Sequence, residues 1–445
     1  MHWRKLAMDK SIYDVIGIGL GPFNLSLACL TAPLEGVSSL FLDKKAEFNW
    51  HPGMMLPEVS LQTPFMSDLV TLADPTSPYS FLNYIKQQGR LYSFYIRENF
   101  FLLRQEYNQY CQWATKQLPN IRFNSEVQHV EYSQDEDIYI VQTAEQVYLA
   151  KHLVLGTGPV PRHPQCAQAF KLQEGVIHSS NYLANKSQLQ QKQSISIIGS
   201  GQSAAEIFYD LLQEIDQHNY QLNWLTRSSR FYPLEYTKLT LEMTSPEYVD
   251  YFYQLPEQKR QQLNSRQHNL YKGINSELIN NIFDLLYSKR LTAKLPVSLH
   301  TNSALIDMTY LSHQQGFELS LEQTEQQQGY SLNTQSVIFA TGYQSYQPSF
   351  LAGISHCIDS DDAGLYQVAR NYSIDKQHQR IFVQNTEQHT HGFVTPDLGM
   401  ACYRNSCIIR AITGHEYYPI ERKIAFQEFA APNYELSDEV EQFRA

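Results

Sequence analysis

The stretch Tyr13-Asp14-Val15-Ile16-Gly17-Ile18-Gly19-Leu20-Gly21-Pro22-Phe23-Asn24 decides the fold. A β-branched run ends in alternating glycines, and an apolar helix opens at once with Leu25-Ser26-Leu27-Ala28. Glycines so placed let the backbone approach a pyrophosphate seated on the N-terminus of the following helix. Gly17, Gly19, Gly21 and Pro22 are therefore candidate nucleotide contacts. The next strand, Ser39-Leu40-Phe41-Leu42, ends at Asp43, whose carboxylate can accept hydrogen bonds from a ribose.

One such turn is weak evidence, but the pattern returns. Ser194-Ile195-Ser196-Ile197-Ile198 runs into Gly199-Ser200-Gly201-Gln202-Ser203 and an apolar helix. Its partner strand, Leu222-Asn223-Trp224-Leu225-Thr226, ends at Arg227, a cation that can pair with a 2′-phosphate. The first unit thus suits FAD or NAD, and the second favours NADPH. Two units predict an α/β protein with two Rossmann-like dinucleotide-binding domains. Two more apolar strands end in glycine turns, at Gly156-Thr157-Gly158 and at Ala340-Thr341-Gly342. Between Glu247 and Leu291 the periodicity turns helical, with Leu278, Ile279, Ile282, Leu285 and Leu286 on one face. That predicts a third, smaller domain.

The chain has 445 residues, more than one core normally holds. No window has the roughly 18 consecutive apolar residues of a membrane span, and the first residues lack the apolar core of a signal peptide. A net charge of -11 argues against nucleic acid as a partner. The six cysteines include no CxxC pair and no metal-ligand spacing with histidine. They read as reduced core thiols of a cytoplasmic protein, with no metal expected and no disulfide-reductase chemistry beside a flavin.

The motifs resemble a known family. Gly17-Ile-Gly-Leu-Gly-Pro-Phe-Asn-Leu-Ser26, Phe48-Asn-Trp-His-Pro-Gly-Met54 and Leu61-Gln-Thr-Pro-Phe-Met-Ser-Asp-Leu69 carry the resemblance. So do Asp74-Pro-Thr-Ser-Pro-Tyr-Ser-Phe-Leu-Asn-Tyr84, Gly199-Ser-Gly-Gln-Ser-Ala204, Ala340-Thr-Gly-Tyr343 and Thr390-His-Gly392. The chain is similar to the microbial flavoprotein N-monooxygenases of hydroxamate siderophore synthesis, the lysine and ornithine N-hydroxylating enzymes. That resemblance implies NADPH, FAD and O2, a C4a-hydroperoxide of the flavin, and attack on it by a neutral amine. A free alkylamine has a pKa near ~10.4, so the site must favour or await the deprotonated form. By resemblance, Trp50, His51, Met54 and Gln62 line the flavin, with Gln62 nearest its reactive edge. Gln202 and Ser203 meet the NADPH, the Thr390-His391-Gly392 stretch returns to the flavin side, and Thr341 and Gly342 are further cofactor contacts.

The departures from the family pattern are informative. Amino-acid-using relatives carry a lysine where Ser67 stands, and it holds the substrate carboxylate. A serine there would forfeit a charge-assisted bond of ~1.5–3 kcal/mol. Leu241, beside Glu242, stands about where ornithine enzymes put an asparagine. A later substrate loop falls around Asn269 to Lys272, where Asn269 is a candidate contact but the family's asparagine has no clear counterpart. Asp397 is new near the end of the site. Asp397 and Glu242 are candidate acceptors for a distal ammonium, or else solvated surface charges. The expected substrate is a small cationic diamine, putrescine before cadaverine. The alternatives are L-lysine or L-ornithine with another cation such as Lys238 gripping the carboxylate, another flavin reaction, or a non-catalytic nucleotide-bound protein.

The family architecture implies an FAD domain over 10–164 and 346–430, and an NADPH domain over 165–233 and 297–345. A helical substrate domain covers 234–296, and loose termini cover 1–9 and 432–445. Related enzymes are often homo-oligomers, dimers or tetramers, though no interface is legible.

Overall fold

The computed structural model describes residues 7–292, 294–362, 364–377, 379–432 and 435–444. The strand Ala7–Ile18 lies inside a seven-stranded sheet, parallel to Ser39–Leu42 on one side and Gln146–Leu155 on the other. Val15 and Ile16 are wholly buried, as a strand covered on both faces requires. The far edge of Gln146–Leu155 takes the antiparallel strand Ile138–Thr143, then the parallel strand Ile381–Val383, with Leu153 opposite Ile381. The chain thus returns from its last quarter to complete the first sheet.

The second sheet has five parallel strands in the order Val176–His178, Ser336–Phe339, Ser194–Ile198, Gln221–Leu225 and Val297–His300. An antiparallel meander, Ser303–Leu311, Gly316–Gln323 and Gln328–Thr334, packs Met308, Phe317, Leu319 and Leu321 against one face. The α/β architecture with two Rossmann-like units is as expected.

The helical segment between the sheets divides. Helix Pro246–Gln254 packs Tyr248, Val249 and Phe252 against Phe393, Val394 and Met400, next to the first unit. Helix Ser276–Arg290 instead turns Ile282 and its neighbours Leu278, Ile279, Leu285 and Leu286 into the core of the second unit. The apolar face was legible, and its partner is the core of the second nucleotide unit.

Both termini also differ from expectation. Residues 7–9 belong to the first strand, Ala7 pairing with Gln146 and Met8 with Val147, while 1–6 lie outside the described residues. The tail is not loose where described: it forms helix Asp438–Arg444, with Val440 buried. No described helix is long and apolar enough to cross a membrane.

Candidate active site

Each sheet ends a strand in a glycine turn that opens a helix. Gly19 has φ +86°, and a Cβ there would lie 2.6 Å from the Gly156 carbonyl oxygen. Gly21 caps helix Pro22–Thr31 with open space before it and Pro22 in the first turn. Asp43 is buried behind this turn, accepting from the Leu20 amide at 2.6 Å and the Lys45 amide at 2.7 Å. Part of its accepting capacity therefore braces the loop. In the second turn a Cβ on Gly199 would sit 2.3 Å from the Ala340 oxygen, so strand and turn touch directly. Gly201 caps helix Gln202–Glu214.

Beside the second turn, at Gln202 and Ser203, opens a cavity of about 690 Å³. Trp50, His51, Met54, Gln62, Ser67, Gln202, Ser203 and Asp397 all line it. Residues predicted from opposite ends of the sequence are thus gathered around one space. Gln62 Nε2 donates to Gln202 Oε1 at 3.2 Å. Gln202 Nε2 donates to Glu206 Oε1 at 3.0 Å, and Glu206 holds Arg104 through bonds of 3.0 and 2.8 Å. Arg104, also on the cavity wall, anchors to the Met54 carbonyl at 2.5 Å. His51 takes a left-handed φ of +50°. Desolvation, then the charges of Arg104 and Lys45, lower its pKa to about 4, so the imidazole is neutral near pH 7.

Carboxylates also line the cavity. Ser67 is buried beside Asp397: a Cβ on Gly399 would lie 3.3 Å from Ser67 Oγ and 3.2 Å from Asp397 Oδ1. Asp397 accepts from the Gly399 amide at 2.7 Å, yet desolvation outweighs that bond and raises its pKa. Glu235 and Glu421 line the same space. Among the described lining residues Arg104 is the one Lys or Arg, and Glu206 already pairs with it.

Other expected contacts lie elsewhere. Glu242 does not line the cavity; it accepts from the Phe426 and Gln427 amides, both at 3.1 Å, and so staples the segment that brings Glu421 and Ile424 to the wall. Asn269 uses its carbonyl to accept from the Glu235 amide at 3.0 Å, while its neighbours Leu270 and Tyr271 line the space. His391 is buried against Tyr372, ring centroids 4.6 Å apart, with Nε2 at 3.2 Å from the Arg370 carbonyl. It supports the site from behind. The Thr341 hydroxyl donates to the Arg162 carbonyl, and the Gly342 carbonyl meets His178 Nε2 at 3.0 Å. These two shape the turn that presents Tyr343 to the cavity.

Arg227 is exposed outside the cavity, just past the strand beside the second glycine turn. Desolvation, then the charges of Arg162 and Arg227, lower the pKa of Lys272, and His268 is lowered by desolvation, then by Lys272 and Arg227. The Lys272 carbonyl would stand 3.3 Å from a Cβ on Gly201, placing this basic cluster against the turn. Sequence reasoning missed Arg104, Glu235, Lys272 and Glu421. Only Glu206 left a signal, four residues after Gln202 on one helix face.

Comparison with known proteins points the same way as the geometry. The model of the L-lysine 6-monooxygenase/L-ornithine 5-monooxygenase family matches residues 11–345. A putrescine N-hydroxylase of Shewanella oneidensis is 54% identical over 439 residues, covering 96% of this chain and 86% of its own. The crystal structure of DfoA bound to FAD, a desferrioxamine-pathway cadaverine monooxygenase from Erwinia amylovora, shares 59% identity at a TM-score of 0.93, covering 96% of this chain and 100% of that one. The ornithine N-hydroxylase KtzI of Kutzneria sp. 744, solved with reduced FAD, NADP⁺ and L-ornithine, is 26% identical at a TM-score of 0.82, covering 90% and 99%. With the family model matching three quarters of the chain and a relative 54% identical over nearly all of it, the chain belongs to the L-lysine 6-monooxygenase/L-ornithine 5-monooxygenase family.

Proposed function

We propose that this chain uses FAD, NADPH and O2 to hydroxylate one primary amine of a small aliphatic diamine, putrescine ahead of cadaverine, for hydroxamate siderophore synthesis. The observation that carries the substrate is the charge of the cavity. Asp397, Glu235 and Glu421 line it, Ser67 stands beside Asp397, and its one guanidinium among the described lining residues is committed to Glu206. A substrate carboxylate would meet like charge there, whereas a distal ammonium finds acceptors. Lys238, the alternative grip for a carboxylate, is exposed and not on the wall.

The residues fit both cofactors. Gly17, Gly19, Gly21 and Pro22 open the helix N-terminus for the FAD pyrophosphate, and Trp50, His51, Met54 and Gln62 line the ring side. Gly199, Gly201, Gln202 and Ser203 do the same for NADPH, with Arg227 at the 2′-phosphate. When bound, FAD and NADPH would supply the hydride transfer and oxygen activation. The protein's part is positional. The Gln62–Gln202 bridge ties flavin side to nicotinamide side, neutral His51 adds no charge beside the ring, and the carboxylates hold the charged end of the amine. The reacting nitrogen must arrive uncharged, against a solution pKa near ~10.4.

The test is a panel of putrescine, cadaverine, L-ornithine and L-lysine scored by hydroxylamine product rather than by NADPH loss. Either diamine should outrun both amino acids, and faster hydroxylation of an amino acid would remove the proposal.

A further inference from the structure

The C-terminal helix Asp438–Arg444 docks on the substrate end of the molecule. Arg444 Nε donates to Asp250 Oδ2 at 2.7 Å, and its Nη2 lies 2.5 Å from the same oxygen. The other oxygen of Asp250 accepts from Arg370 Nε at 2.6 Å, and Arg370 Nη2 donates to the Tyr403 hydroxyl at 2.8 Å. Glu439 reinforces the joint by accepting from the Tyr253 hydroxyl at 2.8 Å and the Arg370 amide at 3.1 Å. The Arg370 guanidinium also lies over the Phe443 ring, 4.4 Å from its centroid.

Two of the helices that these contacts join reach the cavity wall. Tyr403 lines the cavity from helix Ala401–Thr413. Asp250 stands one turn along helix Pro246–Gln254, whose first residue, Pro246, also lines it. Asp250 and Arg370 are buried, so their oxygens and guanidinium depend on protein partners, and the tail supplies one of them. We propose that the C-terminal helix is a clasp that sets the spacing of these two walls, with Arg444 as a positioning residue for the amine. The proposal rests on reading this cavity as the amine site.

FAD-loaded full-length enzyme carrying Arg444→Gln should show a KM for the best amine of the panel raised roughly 10-fold, because shifted walls weaken the charge-assisted grip on the distal ammonium, a contact of ~1.5–3 kcal/mol. NADPH oxidation without amine and kcat at saturating amine should change little. Arg444→Lys, which keeps the cation, should recover most of the affinity. A lowered melting temperature with unchanged KM would make the tail a structural strap and overturn the clasp. A panel without hydroxylamine product from wild-type enzyme would remove the amine reading and the clasp with it.

Discussion

Gln62 and Gln202 stand 140 positions apart in the chain and meet side chain to side chain at 3.2 Å, one from each nucleotide-binding unit. The contact continues through Glu206 to Arg104, which returns to the first unit at the Met54 carbonyl. The two units are thereby held in register by a closed polar circuit, and the cavity between them inherits that register. Glu206 is almost wholly buried, so its charge depends on Arg104.

Breaking this circuit on one side is expected to be expensive. Glu206→Ala leaves the Arg104 guanidinium without its counter-charge, at a cost of about 3 kcal/mol by analogy with broken buried pairs. The double variant Arg104→Ala/Glu206→Ala should cost less than Arg104→Ala and Glu206→Ala added together. Denaturant midpoints of the four proteins measure this, and additivity would show that the pair carries no coupling.

Ser67→Lys should depress diamine turnover. Ser67 is buried beside Asp397, so a lysine there would compete with the substrate's distal ammonium for that carboxylate. The loss of a charge-assisted contact of ~1.5–3 kcal/mol corresponds to a KM raised roughly 10-fold or more. Steady-state kinetics with putrescine and cadaverine decide it, and an unchanged KM would place Ser67 outside the substrate's reach.

The pH dependence of kcat/KM follows from Asp397. Desolvation raises its pKa in the free enzyme, so it gains its proton earlier than an ordinary carboxyl as pH falls. Only the carboxylate attracts an ammonium. Below neutrality, log kcat/KM should fall with pH as the neutral amine is lost, then fall more steeply as Asp397 protonates. Asp397→Asn should keep the shallow fall and lose the steep limb. A wild-type profile that the variant reproduces would remove Asp397 from binding.

How much of this was legible in the chain depends on how local the signal is. Gly19, Gly199 and the strands before them announce themselves because a strand, a glycine turn and a helix are consecutive. Gln62 and Gln202 could be named from motifs, but their meeting could not, since it depends on how two sheets face. Glu242 looked like an ammonium acceptor because its partners, the amides of Phe426 and Gln427, lie 184 and 185 residues on. The tail looked loose for the same reason: Arg444 answers to Asp250, 194 residues back. The apolar face of Ser276–Arg290 was visible as a stripe, while its destination in the second unit was a matter of tertiary packing.

Coenzyme choice should reside in a cluster wider than Arg227. Arg162, Arg227, His268 and Lys272 act on one another electrostatically next to the second glycine turn, in a chain of net charge -11. Like charges so gathered oppose one another until an anion arrives, and a 2′-phosphate carries the charge and the oxygen acceptors to relieve them. Arg227→Gln and Lys272→Met should each weaken binding of 2′,5′-ADP about 10-fold, the equivalent of one charge-assisted bond. Binding of 5′-AMP, which lacks the second phosphate, should hardly move. Calorimetric titration of the FAD-loaded enzyme separates the two ligands, because a general weakening of the nucleotide site would lower both affinities alike. Should Lys272→Met leave 2′,5′-ADP binding intact while Arg227→Gln abolishes it, the phosphate would be read by the strand end alone.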